Sequence, residues 1–202
     1  MPRVAAVCGS LRERSYTRTA LRYALAEAAD AGGDVTLLDL REYDLPALNP
    51  DEEVPVDASA FRTAVRGADS VILGTPVYHG SYAGVLKNAL DYCGFDEFEG
   101  KTVGLLGVAG GAFALAALEH LRSVCRTLDA WVVPHQAALP NVSSAFEPAA
   151  VETAVGTVDR AFVDPDLEDR VRTLGRRTVE YANIEPDPPT PESGQNFGGK
   201  GR

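Results

Sequence analysis

A chain of 202 residues with ordinary hydrophobic content and no internal repeat has enough material for one compact domain with a sizeable core. Its formal charge of −10 and isoelectric point near 4.8 argue against the Lys/Arg-rich surfaces that nucleic acids and anionic membranes select. Arginine greatly outnumbers lysine, whose only members are Lys87, Lys101 and Lys200, and aspartate is abundant, a composition that reads as salt-adapted or halophilic.

Cys8, Cys93 and Cys125 are odd in number, scattered and without Cys-x-x-Cys spacing, which reads as reduced thiols rather than a disulfide framework, a zinc site or an iron–sulfur site. The apolar run after Arg3 stops at Gly9, too short for a signal segment or a membrane span, and no later segment is long enough either. A cytoplasmic protein is expected.

The first strand is Arg3 to Cys8, feeding a polar, hydroxyl-rich loop through Gly9-Ser10. Ala20, Leu21, Ala24, Leu25 and Ala28 then recur at helical spacing until Gly32-Gly33, so the first helix begins near Thr17 with its amino end toward that loop. Val35 to Leu40 is the second strand, followed by a long acidic, proline-containing loop through Val54-Pro55. Phe61, Ala64 and Val65 mark a second helix closed by Gly67.

Val71 to Gly74 is a third buried strand. It meets Thr75-Pro76-Val77-Tyr78-His79-Gly80-Ser81, a stiff loop, and then the helix-favouring residues 82–92. Thr102 to Val108 is the fourth strand and Ala109-Gly110-Gly111-Ala112 its loop. Leu115, Leu118, Leu121, Val124 and Leu128 form a helical stripe, and Trp131-Val132-Val133 opens the fifth strand. Beyond Pro134 the pattern weakens as far as a last helix at Leu167 to Ala182, with Leu167, Val171, Leu174 and Val179 on its buried side. Residues 1–182 read as one domain. Residues 183–202, rich in proline and glycine from Glu185 onward, read as a disordered tail.

Alternating strands and helices with short connections imply an α/β protein of three layers, a five-stranded parallel sheet with helices on both faces. Five strands favour the flavodoxin-like order 2-1-3-4-5, whose ligand crevice lies between strands one and three, where the first and third strand loops meet.

The first of these loops suits an anion, with the hydroxyls of Ser10, Ser15 and Thr17 and the free amides at a helix start as donors; the helix dipole adds roughly 0.3–2 kcal/mol for a phosphate there. Taken alone it is equally a capped strand-to-helix turn. The absence of Gly-x-x-x-x-Gly-Lys and of Gly-x-Gly-x-x-Gly removes the main support for a triphosphate or Rossmann dinucleotide site, and a monophosphate fits better. Residues 75–81 suit a planar ring held by backbone groups, with Tyr78 as a plate and Gly80 allowing close approach. Gly110-Gly111, by itself an ordinary flexible turn, gains interest from its place after the next strand, where its amides would face a developing negative charge. His79 reads as a hydrogen-bonding or stacking wall, His120 and His135 as surface or core residues, Cys8 as packing beneath the loop, and Lys87–Asp91 as a solvated pair.

Four stretches together resemble the NAD(P)H-dependent FMN reductase family of flavodoxin-like proteins: Gly9-Ser10-Leu11-Arg12 with Ser15 and Thr17, Thr75 to Ser81, Leu86-Lys87-Asn88-Ala89-Leu90-Asp91, and Gly110-Gly111. The resemblance covers roughly residues 3–180. It implies that Ser10, Arg12, Ser15, Tyr16 and Thr17 surround the FMN phosphate. It also implies that Pro76, Val77, Tyr78, His79, Gly80 and Ser81, with Ala109, Gly110 and Gly111, surround the isoalloxazine. Many members of that family carry Glu where Val77 stands and Asn where His79 stands. The helix after the ring loop commonly packs in a dimer or tetramer, which gives Tyr82, Leu86, Leu90 and Tyr92 a partner-facing reading beside that of packing on their own sheet.

The expected activity is hydride transfer from NADPH or NADH to FMN and electron transfer onward to free flavin, a quinone, an azo compound or a similar acceptor. The flavin carries the hard chemistry, so no catalytic side chain or metal is expected, and Arg12 or Arg14 is placed to meet a nucleotide phosphate. A flavodoxin-type electron carrier and a flavin-free protein on the same fold are the rival readings.

Overall fold

A computed structural model describes residues 1–184. In chain order its elements are β1 (Arg3–Cys8), α1 (Tyr16–Asp30), β2 (Asp34–Asp39), α2 (Val56–Gly67), β3 (Ser70–Tyr78), β4 (Ser81–Tyr82), α3 (Gly84–Asp91) and α4 (Phe95–Phe98). They continue with β5 (Thr102–Val108), α5 (Leu115–Thr127), β6 (Trp131–Val132), β7 (Ala137–Leu139), α6 (Val142–Ala145), β8 (Phe146–Thr153), β9 (Gly156–Phe162) and α7 (Pro165–Glu180).

The central sheet runs β2-β1-β3-β5-β6 with every pair parallel, the order expected for a flavodoxin-like fold. Two details differ from five simple strands. The fifth strand is in two pieces, since β6 pairs with Thr102 and Val103 while β7 pairs with Leu106, Gly107 and Val108. Pro134, which has no N–H to give a ladder, lies in the break. In addition, β4 turns back antiparallel on the end of β3.

Alternate residues of each strand face opposite layers, as the twofold repeat of a strand dictates. Val4, Ala6, Cys8, Ile72, Leu106 and Val108 pack with α1 and α7. Ala5, Val7, Val71, Leu73, Val103 and Leu105 pack with α2, α3 and α5. Lys101, at the foot of β5, donates to the carbonyls of Val65 (2.8 Å) and Ala68 (2.6 Å) and so satisfies the carboxyl end of α2.

The segment after Pro134, unassigned from sequence, contains an antiparallel hairpin, β8–β9. Its Phe146 and Phe162 bury against each other and against Tyr16 and Tyr23 of α1. The alternation that normally betrays a strand is broken there by Pro148 and a register shift between Pro148 and Val151. The last helix starts two residues before the expected Leu167 and ends at Glu180, because Asp164 caps it and Pro165 occupies its first position. The expectation of a disordered tail falls, from residue 185 onward, outside the described residues.

The helix expected over 82–92 starts at Gly84, since Tyr82 belongs to β4. Its partner-facing candidates are used at home. Leu86 and Leu90 are buried on the sheet, and the hydroxyl of buried Tyr92 donates to Pro46 O (2.9 Å). Asn88 donates to the carbonyls of Leu45 (3.0 Å) and Pro46 (2.9 Å) and accepts from Leu48 N (2.9 Å), so the long acidic loop is pinned to α3.

Candidate active site

At the carboxyl ends of β1 and β3 lies a cavity of about 370 Å³, lined by Gly9, Ser10, Leu11 and Arg12 from one loop and by Pro76, Tyr78, Ala83, Gly84 and Val85 from the next. The first loop is held from below by the Gly9 N–H, which donates to Gly74 O (2.8 Å). A Cβ at Gly9 would lie 2.9 Å from both that oxygen and Leu86 Cβ, so a side chain there would drive α3 away from the loop.

Beyond that anchor, none of the backbone amides from Ser10 to Thr17 donates to another backbone group among the described residues. The reason lies in the loop's own carbonyls. Those of Arg12 and Glu13, which a continuing helix would use, accept instead from the Arg18 guanidinium at 3.0 and 2.8 Å. Ser15 caps α1 by accepting from Arg18 N (3.2 Å), and the Ser10 and Thr17 side chains are buried in the same turn. A run of unpaired N–H groups at a helix amino end, with hydroxyls beside it, is a cradle for a phosphate-sized anion. Tyr16, expected with these donors, turns its ring away to stack on Phe146 at 5.6 Å beneath the Arg160 guanidinium, leaving only its amide to the cradle.

Arg18 is the central residue that the motif-based reading missed. Its Nε donates to Asp39 (2.7 Å), which also accepts from Arg41 (2.8 Å), and both Arg18 and Asp39 are buried. Burial alone would raise the Asp39 pKa, but the hydrogen bonds from Arg41 and Arg18 outweigh it and hold the carboxyl below its ordinary range. The only sequence signal was a charged residue on the buried stripe of an amphipathic helix. Cys8 beneath the loop is a buried thiol whose pKa burial pushes up, which keeps it neutral and inert.

Residues 75–81, read as a loop, continue β3 as far as Tyr78 and turn back through His79-Gly80 into Ser81. His79 and Gly80 have φ of +50° and +76°, the left-handed pair of a type I′ turn. Thr75, fully buried, fixes the base of this hairpin: its hydroxyl accepts from Ala83 N (2.9 Å) and donates to Pro76 O (2.8 Å). Val77 pairs with Tyr82 across the hairpin. Ser81 hydrogen-bonds through Oγ to His120 Nδ1 of α5 (3.0 Å), a contact that a distance of 39 residues hides from sequence reasoning.

Ala109 does not contribute an amide to the site, because its N–H donates to Leu139 O (2.9 Å). The amides of Gly110 and Gly111 have no backbone acceptor among the described residues, and both glycines are exposed beside the same end of the sheet. Tyr78, Phe113 and Leu115 leave large apolar surfaces exposed. The described residues contain no cluster of His, Cys, Asp and Glu fit to hold a metal ion, and no helix long and apolar enough to cross a membrane.

Residues 2–144 match the model of a family described as NADPH-dependent FMN reductase. Among curated relatives, FMN-dependent NADPH-azoreductases from Staphylococcus saprophyticus and Staphylococcus haemolyticus are 37% and 38% identical over 138 residues, covering 65% of this chain and 73% of each relative. Among solved structures, the NADH:FMN oxidoreductase EMOB in its apo form superposes with a TM-score of 0.73 at 23% identity, covering 92% of both chains. The NAD(P)H:(acceptor) oxidoreductase FerB from Paracoccus denitrificans superposes with a TM-score of 0.71 at 21% identity, covering 90% of this chain and 97% of that one.

Proposed function

This chain belongs to the NADPH-dependent FMN reductase family, and we propose that it passes electrons from NAD(P)H through FMN to a small aromatic acceptor such as a quinone, an azo compound or free flavin. FMN and NAD(P)H are the family's cofactors, and the chain is an oxidoreductase.

The observation that carries the site assignment is the uninterrupted row of unpaired amides from Ser10 to Thr17, whose first residues, Ser10 to Arg12, line the 370 Å³ cavity. On this reading Ser10, Ser15 and Thr17, with Arg12 and the Tyr16 amide, hold the FMN phosphate. The Pro76 to Ser81 hairpin lies along the ring and the Gly110 and Gly111 amides face its other edge, positioned to favour negative charge there. Bound flavin supplies the hydride and single-electron chemistry. The protein's own part is to bind, to orient and to exclude water, which is why the site needs no side-chain acid or base.

The open apolar surfaces of Tyr78, Phe113 and Leu115 suit a planar acceptor, and they also suit a second copy of the chain closing over the cavity. A homodimer or homotetramer using these residues with the exposed side of α3 is part of the proposal. The single-domain reading over residues 1–182 goes with it.

The test is direct. Purified protein is titrated with FMN by visible absorbance, and NADPH and NADH oxidation is followed with a quinone, an azo dye and excess FMN as acceptors. Saturable flavin binding with acceptor-dependent NAD(P)H oxidation is expected. Failure to bind FMN overturns the site assignment, and FMN binding without nicotinamide oxidation overturns the reductase reading.

A further inference from the structure

On the far side of the Arg12–Ser15 turn lies a second cavity, of about 280 Å³, that shares no lining residue with the first. Five arginines converge on it: Arg14 from the loop, Arg18 and Arg22 from α1, Arg41 from the end of β2, and Arg160 from β9. Only two acids, Glu13 and Asp159, line it. In a chain of net charge −10 this is a local reversal of sign, and holding guanidiniums together is unfavourable unless something negative sits among them.

The five are not equivalent. Arg18 is spent on Asp39 and the loop carbonyls, and Arg41 shares Asp39 with it. Arg160 is largely buried and held in place, its guanidinium 4.9 Å from the Tyr16 ring centroid and bonded to its neighbour Asp159 at 3.1 Å. Arg22 makes one long contact, 3.5 Å to Thr157 O, and Arg14 makes none among the described residues. Each guanidinium has five N–H donors, so most of those on Arg14, Arg22, Arg41 and Arg160 remain available.

We propose that this cavity is a second anion site, which takes a phosphate group on the opposite side of the turn from the flavin cavity; Glu13, Arg14 and Ser15 of the turn line it, so the two sites share the loop but no lining residue. Guanidinium forks match phosphate oxygens in pairs, the geometry for which arginine is preferred over lysine. The volume is that of roughly nine water molecules, ample for a hydrated phosphate and small for a whole nucleotide, so a larger ligand would place only its phosphate end here. The wall carrying Val158, Asp159 and Arg160 lies beyond residue 144, where the match to the family model stops. Arg18 is the shared partition: it lines this cavity while bonding the carbonyls of the flavin-side loop.

The experiment is calorimetric titration of FMN-saturated protein with inorganic phosphate, and in parallel with 2′-AMP and 5′-AMP. A saturable phosphate site is expected, weakened about tenfold or more in an Arg22→Gln/Arg160→Gln protein whose affinity for FMN stays within about twofold of the parent. Arg14→Gln, on an exposed side chain that no fold contact needs, is expected to weaken phosphate several-fold and guards against a folding artefact in the double variant. Both nucleotides binding no better than phosphate identifies a free ion as the occupant, and one of them binding more tightly identifies a nucleotide phosphate. No saturable binding overturns the proposal. So does binding unchanged in both variants, or phosphate displaced one for one by FMN, which would put it in the flavin loop. Were the protein not to bind FMN at all, the titration would still read this cavity, because the substituted residues do not line the other one.

Discussion

Replacing Arg18 separates its charge from its shape. The guanidinium uses Nε on Asp39 (2.7 Å), one Nη on Glu13 O (2.8 Å) and the other on Arg12 O (3.0 Å), a planar set that spans β2 and two carbonyls of the loop after β1. Arg18→Lys keeps the charge but offers one nitrogen in place of three, so it reaches Asp39 and abandons the carbonyls. Losing two charge-assisted hydrogen bonds at about 1.5 kcal/mol each is expected to lower stability by about 2–3 kcal/mol, with little relief from solvent because the Arg18 side chain is 9% exposed. Arg18→Met also removes the charge; since Arg41 still neutralises Asp39, the total should stay near or below the 3–5 kcal/mol typical of breaking a buried pair. The freed carbonyls of Arg12 and Glu13 then compete for the unpaired amides of the loop, so FMN affinity should fall about tenfold or more in both variants. Urea denaturation gives the stability and quenching of flavin fluorescence the affinity. Parental FMN affinity in Arg18→Lys would refute the claim that this side chain shapes the loop.

Ser15→Asp retains an N-cap acceptor, so the helix should hold, while its negative charge should reduce FMN affinity at least about tenfold; unchanged flavin binding by absorbance titration would place the phosphate elsewhere. His79→Asn relieves a non-glycine φ of +50° at the first position of a type I′ turn and is expected to add about 0.5–1 kcal/mol in urea denaturation. Asp39, held below its ordinary pKa in the fold, contributes stability that is fully present above the unfolded carboxylate value near ~3.9 and is lost as pH falls through that value and the lower folded one. The urea midpoint should therefore drop more steeply below about pH 4 in the parent than in Asp39→Asn, and equal slopes would remove Asp39 from the acid response. Phe162→Ala, which strips the contact to Tyr23 at 5.0 Å and to Phe146 at 4.2 Å, should cost about 3–4 kcal/mol if the hairpin folds with the domain, and much less if it is a detachable appendage.

What was legible in the sequence is what local chemistry decides. The β-branched and apolar runs of β1, β3 and β5 are buried on both faces and could be read directly, and the capped turn at Ser15 with its glycine at position 9 placed the anion loop between a strand and a helix. What escaped was made by distance. Thr75 looks like any residue before proline until its hydroxyl is found beneath Ala83, and Ser81 and His120 meet only because α5 crosses the returning strand β4. The β8–β9 hairpin was hidden because Pro148 and a register shift spoil its alternation, and the aromatics that define it find partners on a helix more than a hundred residues earlier.

Contacts from distant parts of the chain also give the two ends of one loop different surroundings. Arg12 faces the apolar cavity between β1 and β3, whereas Arg14, two residues on, faces a cleft of guanidiniums completed by the hairpin. The partition between them is a single buried side chain, Arg18, anchored on Asp39 and bonded to both carbonyls of the turn. An anion entering the arginine cleft draws on Arg41 and so weakens one of the two holds on Asp39, which leaves Arg18 more tightly committed to that carboxylate. Phosphate bound in the cleft is therefore expected to change FMN affinity through Arg18, and by linkage FMN must change phosphate affinity by the same factor. Flavin titrations with and without saturating phosphate measure that factor. In Arg18→Met, which lacks the partition, it should fall to one.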